Sequence, residues 1–258
     1  MTTSVEDVWR RRTDAQVIEA AGRLHEYTEE GRRLIRGELE RRGLAVPVGS
    51  PIGGYSSPAT RAQLVVLLLA ASAVLDLIAG VSTMGQIDLI STVVSGGTIT
   101  DAEAAANDAR QQLVGTLQVI MVLVTAVAFL RWLRRSYANL PALGITPSLT
   151  PGWVMAAWFV PFMNLVRPYQ IVKEMWMASG HALLGWWWAA WLTTGILGQV
   201  VFRMSASADE PLDLLTLSYL TLWADISGVV AAILAVFVVR IITRRQDTNH
   251  PTADVVPA

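Results

Sequence analysis

The chain has 258 residues, 53% of them hydrophobic and 16% charged, with a formal net charge of −1 and no cysteine. That apolar fraction lies above the usual soluble range, and it is gathered into long runs that a soluble core does not require. A near-neutral balance removes the electrostatic case for nucleic acid as a partner, and the missing thiols remove disulfides, thiolate metal sites and cysteine nucleophiles.

Residues 1–45 read as a small cytoplasmic helical hairpin. Its first helix is expected over 14–24, with Val17, Ile18, Ala21 and Leu24 recurring on one face. The second is expected to start at Thr28 as N-cap, with Glu29 and Glu30 in its first turn, and to end in Arg41-Arg42-Gly43. Acid at the start, base at the end and glycine just beyond is the order the helix dipole and the C-cap favour. Leu34, Ile35 and Leu39 are placed to meet the first helix. Residues 46–61, rich in Pro, Gly and Ser, read as a linker to a membrane domain over 62–243, and 244–258 as a disordered tail. No apolar stretch follows Met1, so the first membrane signal is expected at 64–84.

Four apolar runs are long enough to span a bilayer: 64–84, 113–130, 183–202 and 219–239. A helix rises ~1.5 Å per residue and the hydrocarbon core is ~30 Å thick, so about 20 apolar residues suffice. The fold class predicted is therefore all-α, a polytopic membrane protein of four transmembrane helices. The run 153–165 is too short to cross and is broken by Pro161, so it is expected as a re-entrant or partly inserted segment. In the loop 86–112, Thr100-Asp101-Ala102-Glu103 fits a capping box, which predicts a helix running on into the second span.

Basic residues set the orientation. Residues 1–61 hold ten Lys and Arg, whereas loop 86–112 and loop 203–218 hold one each. The positive-inside rule then puts both termini and the central segment on the cytoplasmic side of a bacterial inner membrane. Lys173 is the only lysine, and this arginine bias fits a GC-rich bacterial genome.

The central segment carries a run of closely spaced motifs. They are Leu130-Arg131-Trp132-Leu133-Arg134-Arg135, Tyr137-Ala138-Asn139, Pro141-Ala142-Leu143-Gly144 and Thr150-Pro151-Gly152-Trp153. Trp158-Phe159-Val160-Pro161, Asn164-Leu165 and Arg167-Pro168-Tyr169-Gln170 follow, closed by Glu174, Trp176 and Ser179. In these residues the chain resembles a family of bacterial integral membrane proteins catalogued as a domain of unknown function. The resemblance implies a fold and a membrane location and implies no activity.

Read physically, Pro168 suits the first turn of a helix. Ile171, Val172, Met175 and Trp176 then fall on one face, as in an amphipathic helix lying at the headgroup boundary. The Asn164 amide is placed to satisfy backbone groups freed by Pro161. Arg167 is placed to meet lipid phosphate, Glu174 or helix carbonyls. Trp153, Trp158, Pro161, Asn164, Arg167, Pro168, Tyr169 and Gln170 are thus the candidate interfacial residues, with anionic lipid as one reading.

A second candidate lies inside the spans. Asp76, Gln118, Gln199, Arg203 and Asp225 stand at comparable depth in the outer half of the bundle, each in a stripe of small or polar residues, and are expected to face one another. The reading as a packing contact between Arg203 and a carboxylate competes with one as a proton- or cation-responsive site. His25, His181 and His250 have no ligand-spaced neighbour and no phosphate-binding glycine loop occurs, so no metal, cofactor or catalytic constellation is predicted. The function expected is that of a non-enzymatic membrane protein that docks a protein partner or senses the bilayer. A small transporter or channel component is the alternative.

Overall fold

The structure is a computed structural model, and it describes residues 5–21, 27–44, 55–177 and 180–249. All regular elements among these residues are helical.

Among the described residues the N-terminal unit has three helices: α1 (Val5–Arg10), α2 (Asp14–Ala21) and α3 (Glu29–Arg42). Thr28 caps α3 by accepting from the Gly31 N–H at 3.3 Å, and Gly43 ends it at φ 61°, where glycine carries no Cβ penalty. The expected hairpin contact is present: Ile35 is fully buried with Ala20 and Ala21, and Leu34 and Leu39 pack against them. The additional helix α1 supplies Trp9, which meets Tyr27 edge-on at 5.5 Å. Leu24, and Ser179 at the close of the central motif, lie outside the described residues.

Among the described residues three helices are long and apolar enough to cross a membrane: α4 (Ala59–Val94), α5 (Asp101–Ala138) and α9 (Pro211–Asn249). A fourth long helix, α8 (Ala182–Ser205), has 24 residues and packs on α9. These helices overrun the apolar runs that mark them. At 36 residues, α4 is ~54 Å long and leaves roughly four turns beyond a ~30 Å hydrocarbon core. The loop expected over 86–112 accordingly contracts to 95–100. Thr100 and Glu103 form the capping box, with the Thr100 N–H donating to Glu103 Oε2 at 2.8 Å and the Glu103 N–H to Thr100 Oγ1 at 3.2 Å. The tail expected over 244–258 is corrected in the same way over 244–249, because α9 continues to Asn249 with Gln246 fully buried; residues 250–258 lie outside the described residues.

Laterally, α4 and α9 pack along each other, with α5 on α4 and α8 on α9. Large apolar side chains point outward from this layer: Leu67, Val81, Val122, Leu123 and Phe202 are all more than half exposed. An apolar belt of this kind is what lipid accepts and water does not. Apart from Asp76 and Asp225, the charged residues of these helices divide between the two ends. Arg61, Arg131, Arg134, Arg135, Arg167, Lys173, Arg240, Arg244 and Arg245 sit at one, here called the basic end, and the helix turns at 95–100 and 206–210 mark the other.

The main core lies at the basic end, around Trp132, Tyr137, Leu140, Met175, Leu184 and Ile242. It is completed by the segment between α5 and α8. There 153–165 is no continuous helix. It holds α6 (Pro151–Ala156), tight turns, and a 3-10 turn at Met163–Leu165, followed by α7 (Arg167–Glu174). Pro168 occupies the first turn of α7. The apolar face of α7 does not stay open for lipid: Ile171, Val172 and Met175 are 0–1% exposed and belong to the protein core. The face left outside carries Arg167, Gln170 and Lys173.

Candidate functional site

Halfway along the bundle three polar side chains from three helices converge. Gln118 of α5 donates its Nε2 to Asp76 Oδ1 of α4 and to Asp225 Oδ1 of α9, both at 3.0 Å. One amide nitrogen carries two hydrogens, so a single residue ties three helices together. Small residues make room for this. A Cβ built on Gly228 would fall 2.7 Å from Asp76 Oδ2, so the carboxylate rests directly against the α9 backbone. Asp225 is 6% exposed and its Oδ2, also buried, has no hydrogen-bond partner.

Gln199 and Arg203 do not join this cluster. Both are exposed, and neither forms a hydrogen bond with it. The reason is rotational phase. Helix α8 presents Thr194 to α9, where its hydroxyl lies 2.8 Å from Ser227 Oγ. Five and nine residues further on, at ~100° per residue, Gln199 and Arg203 point ~140° and ~180° away. The packing contact between Arg203 and a carboxylate is therefore absent. Nor does Arg110 of α5 reach the acids: its guanidinium is spent on Ser82 Oγ at 3.0 Å and Asn107 Oδ1 at 2.8 Å. Two carboxyl groups thus share one neutral donor at mid-helix depth. A single charged carboxylate there costs about 2.5–3.5 kcal/mol on insertion scales.

The candidate interfacial residues at the basic end divide between core and surface. Trp158 meets Phe129 of α5 at 5.3 Å and Trp191 of α8 at 5.5 Å, both edge-on, and so bridges two helices that pack on different partners. Trp188 stacks on Trp191 at 4.8 Å, and Tyr169 lies 6.4 Å from Trp188. Pro168 is buried. Trp153 is 54% exposed and Phe162 85%, and Pro161 and Gln170 are also exposed. Phe162 has φ 63°, a left-handed backbone that a large side chain rarely adopts.

Two expectations are corrected here. The Asn164 side chain forms no hydrogen bond among the described residues; its backbone N–H alone bonds, to the Val160 carbonyl at 3.1 Å. The chain beyond Pro161 instead satisfies itself through local turns, such as the Met163 N–H to the Pro161 carbonyl at 2.8 Å. Arg167 donates to Gln170 Oε1 at 3.1 Å and not to Glu174. Glu174 instead accepts from the Tyr137 hydroxyl at 2.5 Å and the Ser148 N–H at 3.2 Å, which pins α7 to the end of α5.

A polar layer that the sequence reading passes over joins α5 to α9. Gln246 Nε2 donates to the Ser136 carbonyl at 2.9 Å, and Asn139 Nδ2 donates to Gln246 Oε1 at 3.3 Å and to the Ser56 carbonyl at 3.0 Å. Its signal is periodicity. Ala235, Val239, Ile242 and Gln246 continue one helical stripe at spacings of 4, 3 and 4, so the buried face extends past the apolar run. Among the described residues no group of three or more His, Cys, Asp or Glu could hold a metal ion.

The sequence pattern of the family described as Domain of unknown function (DUF4328) matches residues 95–244. The chain belongs to this family. The match takes in α5, the central segment, α8 and most of α9, and so includes Gln118 and Asp225 but neither Asp76 nor the N-terminal unit. No curated protein and no solved structure matches the chain.

Proposed function

We propose that this is a non-enzymatic, four-span protein of the bacterial cytoplasmic membrane that presents its N-terminal helical unit to a protein partner on the cytoplasmic side. The observation that carries the reading is the self-contained core of that unit. Trp9, Ala20, Ala21 and Ile35 close on one another, while Arg42 reaches back to Asp14 at 2.8 Å and to the Trp9, Arg10 and Arg12 carbonyls. So small a unit with its own core and a charged exterior has little room for a pocket, and it suits recognition by its surface.

Helix α8 is the fourth span in this reading. Its 24 residues rise ~36 Å, enough for a ~30 Å core. Tryptophan, which lowers its hydropathy, belongs at the membrane interface. With four spans the basic end lies at the cytoplasmic leaflet, where Arg167, Lys173 and Arg240 meet anionic lipid headgroups. Proximity labelling from the full chain in native membranes, against a chain lacking residues 1–44, tests the docking role. A partner lost on deletion while membrane insertion stays normal supports it, and an unchanged neighbour profile overturns it.

The polar cluster favours a second reading, a small transporter or channel component. Uptake or conductance in proteoliposomes that rises above empty vesicles and falls in Asp225→Asn supports this reading, and flux equal to empty vesicles removes it.

A further inference from the structure

A groove of about 140 Å³ opens between α4 and α9, with Leu77, Val81, Met84, Leu222 and Ile226 as walls and Asp76 and Asp225 in its lining. Leu77 and Val81 are 58% and 71% exposed, so the groove opens sideways through the apolar surface rather than along the bundle axis. Its size suits one small apolar group, since a cavity of ~150 Å³ holds a benzene molecule.

The chemistry inside the groove is more selective than its size. Among the described residues Asp76 and Asp225 face no positive side chain from any helix packed around them. Helix α5 offers neutral Gln118, α8 offers Thr194, and α4 itself brings the Thr83 hydroxyl beside Asp225. Arg110 is engaged with Ser82 and Asn107, and Arg203 is exposed. Gln118 supplies one hydrogen to each acid, which leaves Asp225 Oδ2 buried with no donor at ordinary hydrogen-bond distance. A buried carboxyl oxygen that lacks a partner is filled best by a group bringing both a charge and a hydrogen.

We infer that this groove binds a small lipophilic ammonium ion, a protonated primary or secondary amine entering from the bilayer. Its N–H groups hydrogen-bond the Asp225 and Asp76 carboxylates, and its apolar part lies along Leu77, Val81 and Ile226. A quaternary ammonium brings the charge without the hydrogen and leaves Oδ2 unpaired. Protons compete for the same carboxylates, so binding weakens towards acid pH. This site goes beyond the docking role and does not involve the N-terminal unit.

The test uses the purified full chain in lipid nanodiscs, with calorimetric titration of benzylammonium, benzyltrimethylammonium and benzyl alcohol. Benzylammonium is expected to bind saturably with one site per chain at pH 8, and more weakly at pH 5. Loss of one charge-assisted hydrogen bond weakens binding by about tenfold or more, and this is expected for Asp225→Asn and for the quaternary ion. Val81→Trp leaves both carboxylates in place, sits at an exposed position and fills the groove, so it is expected to abolish binding in a chain that melts like wild type. Equal binding of benzyl alcohol or of the quaternary ion overturns the inference, as does benzylammonium binding that survives Val81→Trp. Absence of saturable binding at pH 8 overturns it as well.

Discussion

Alanine at Gly228 and alanine at Gly80 should have opposite outcomes, although both glycines lie where α4 and α9 meet. A Cβ on Gly80 finds Leu222 Cδ1 at 3.5 Å, an ordinary contact, and alanine also favours the helix over glycine by ~1 kcal/mol. A Cβ on Gly228 falls 2.7 Å from Asp76 Oδ2. The carboxylate then has to turn away from Gln118, whose donor lies 3.0 Å from Oδ1. Overpacking costs ~1–3 kcal/mol, and polar contacts in membrane bundles average ~0.6 kcal/mol. Set against the helix gain, Gly228→Ala should destabilise by about 0.5–2.5 kcal/mol and Gly80→Ala should be neutral or stabilising. Steric-trap or detergent unfolding of the purified chain measures both. Removing the obstructing group should rescue the first: in Gly228→Ala with Asp76→Ala the penalty for alanine at 228 vanishes, a coupling that a double-mutant cycle reads directly. Equal stability of the two glycine variants, or a Gly228 penalty that persists without Asp76, would refute the placement of Asp76 against α9.

The Glu38 carboxylate is held at about 2 against an ordinary 4.5, first by its hydrogen bond from Arg41 and further by Arg42, with burial opposing. A lowered value means stability that is present above pH 4.5 and lost as pH falls towards 2. Protection factors of α3 amides should follow that course in the full chain and lose it in Glu38→Gln; a flat wild-type profile would contradict the ion-pair geometry. Phe162→Gly should be more stable than Phe162→Ala by roughly 1 kcal/mol, because only glycine relieves a φ of 63°, and equal melting temperatures would show that the backbone there is relaxed. Gln246→Leu should cost about 1–3 kcal/mol by leaving buried polar groups unpaired, read as a lowered unfolding midpoint, whereas wild-type stability would show that the polar layer is replaceable by packing.

Local signals were legible where one residue type has one use. Thr28, Thr100-Glu103 and Gly43 mark helix ends because few other residues fill those roles. Helix α1 was not legible, since six residues carry too little periodicity and Trp9 looks like a lone aromatic among arginines. Helix lengths were underread because an apolar run reports burial in lipid, not the end of the backbone hydrogen-bond ladder. Nothing between Gln86 and Val94 offers a cap, so α4 continues through its polar residues. The meeting of Asp76, Gln118 and Asp225 followed from matching depth and small neighbours. Gln199 and Arg203 satisfied the same depth criterion and failed on rotation, which tertiary packing of α8 on α9 decides and sequence spacing within α8 does not. Asn164 shows the converse limit: a polar residue beside a proline need not serve it when tight turns satisfy the backbone locally.

The central claim, four spans with both termini on the cytoplasmic side, is tested most directly by labelling single cysteines introduced into a chain that has none. Ser57→Cys, Ser95→Cys, Ser207→Cys and Thr248→Cys each lie just outside a helix or at its last turn. With a membrane-impermeant maleimide on intact bacteria, positions 95 and 207 should label, and positions 57 and 248 should label only after lysis. Protection of position 207 together with labelling of position 248 in intact cells would mean that α8 does not cross, and would contradict the account.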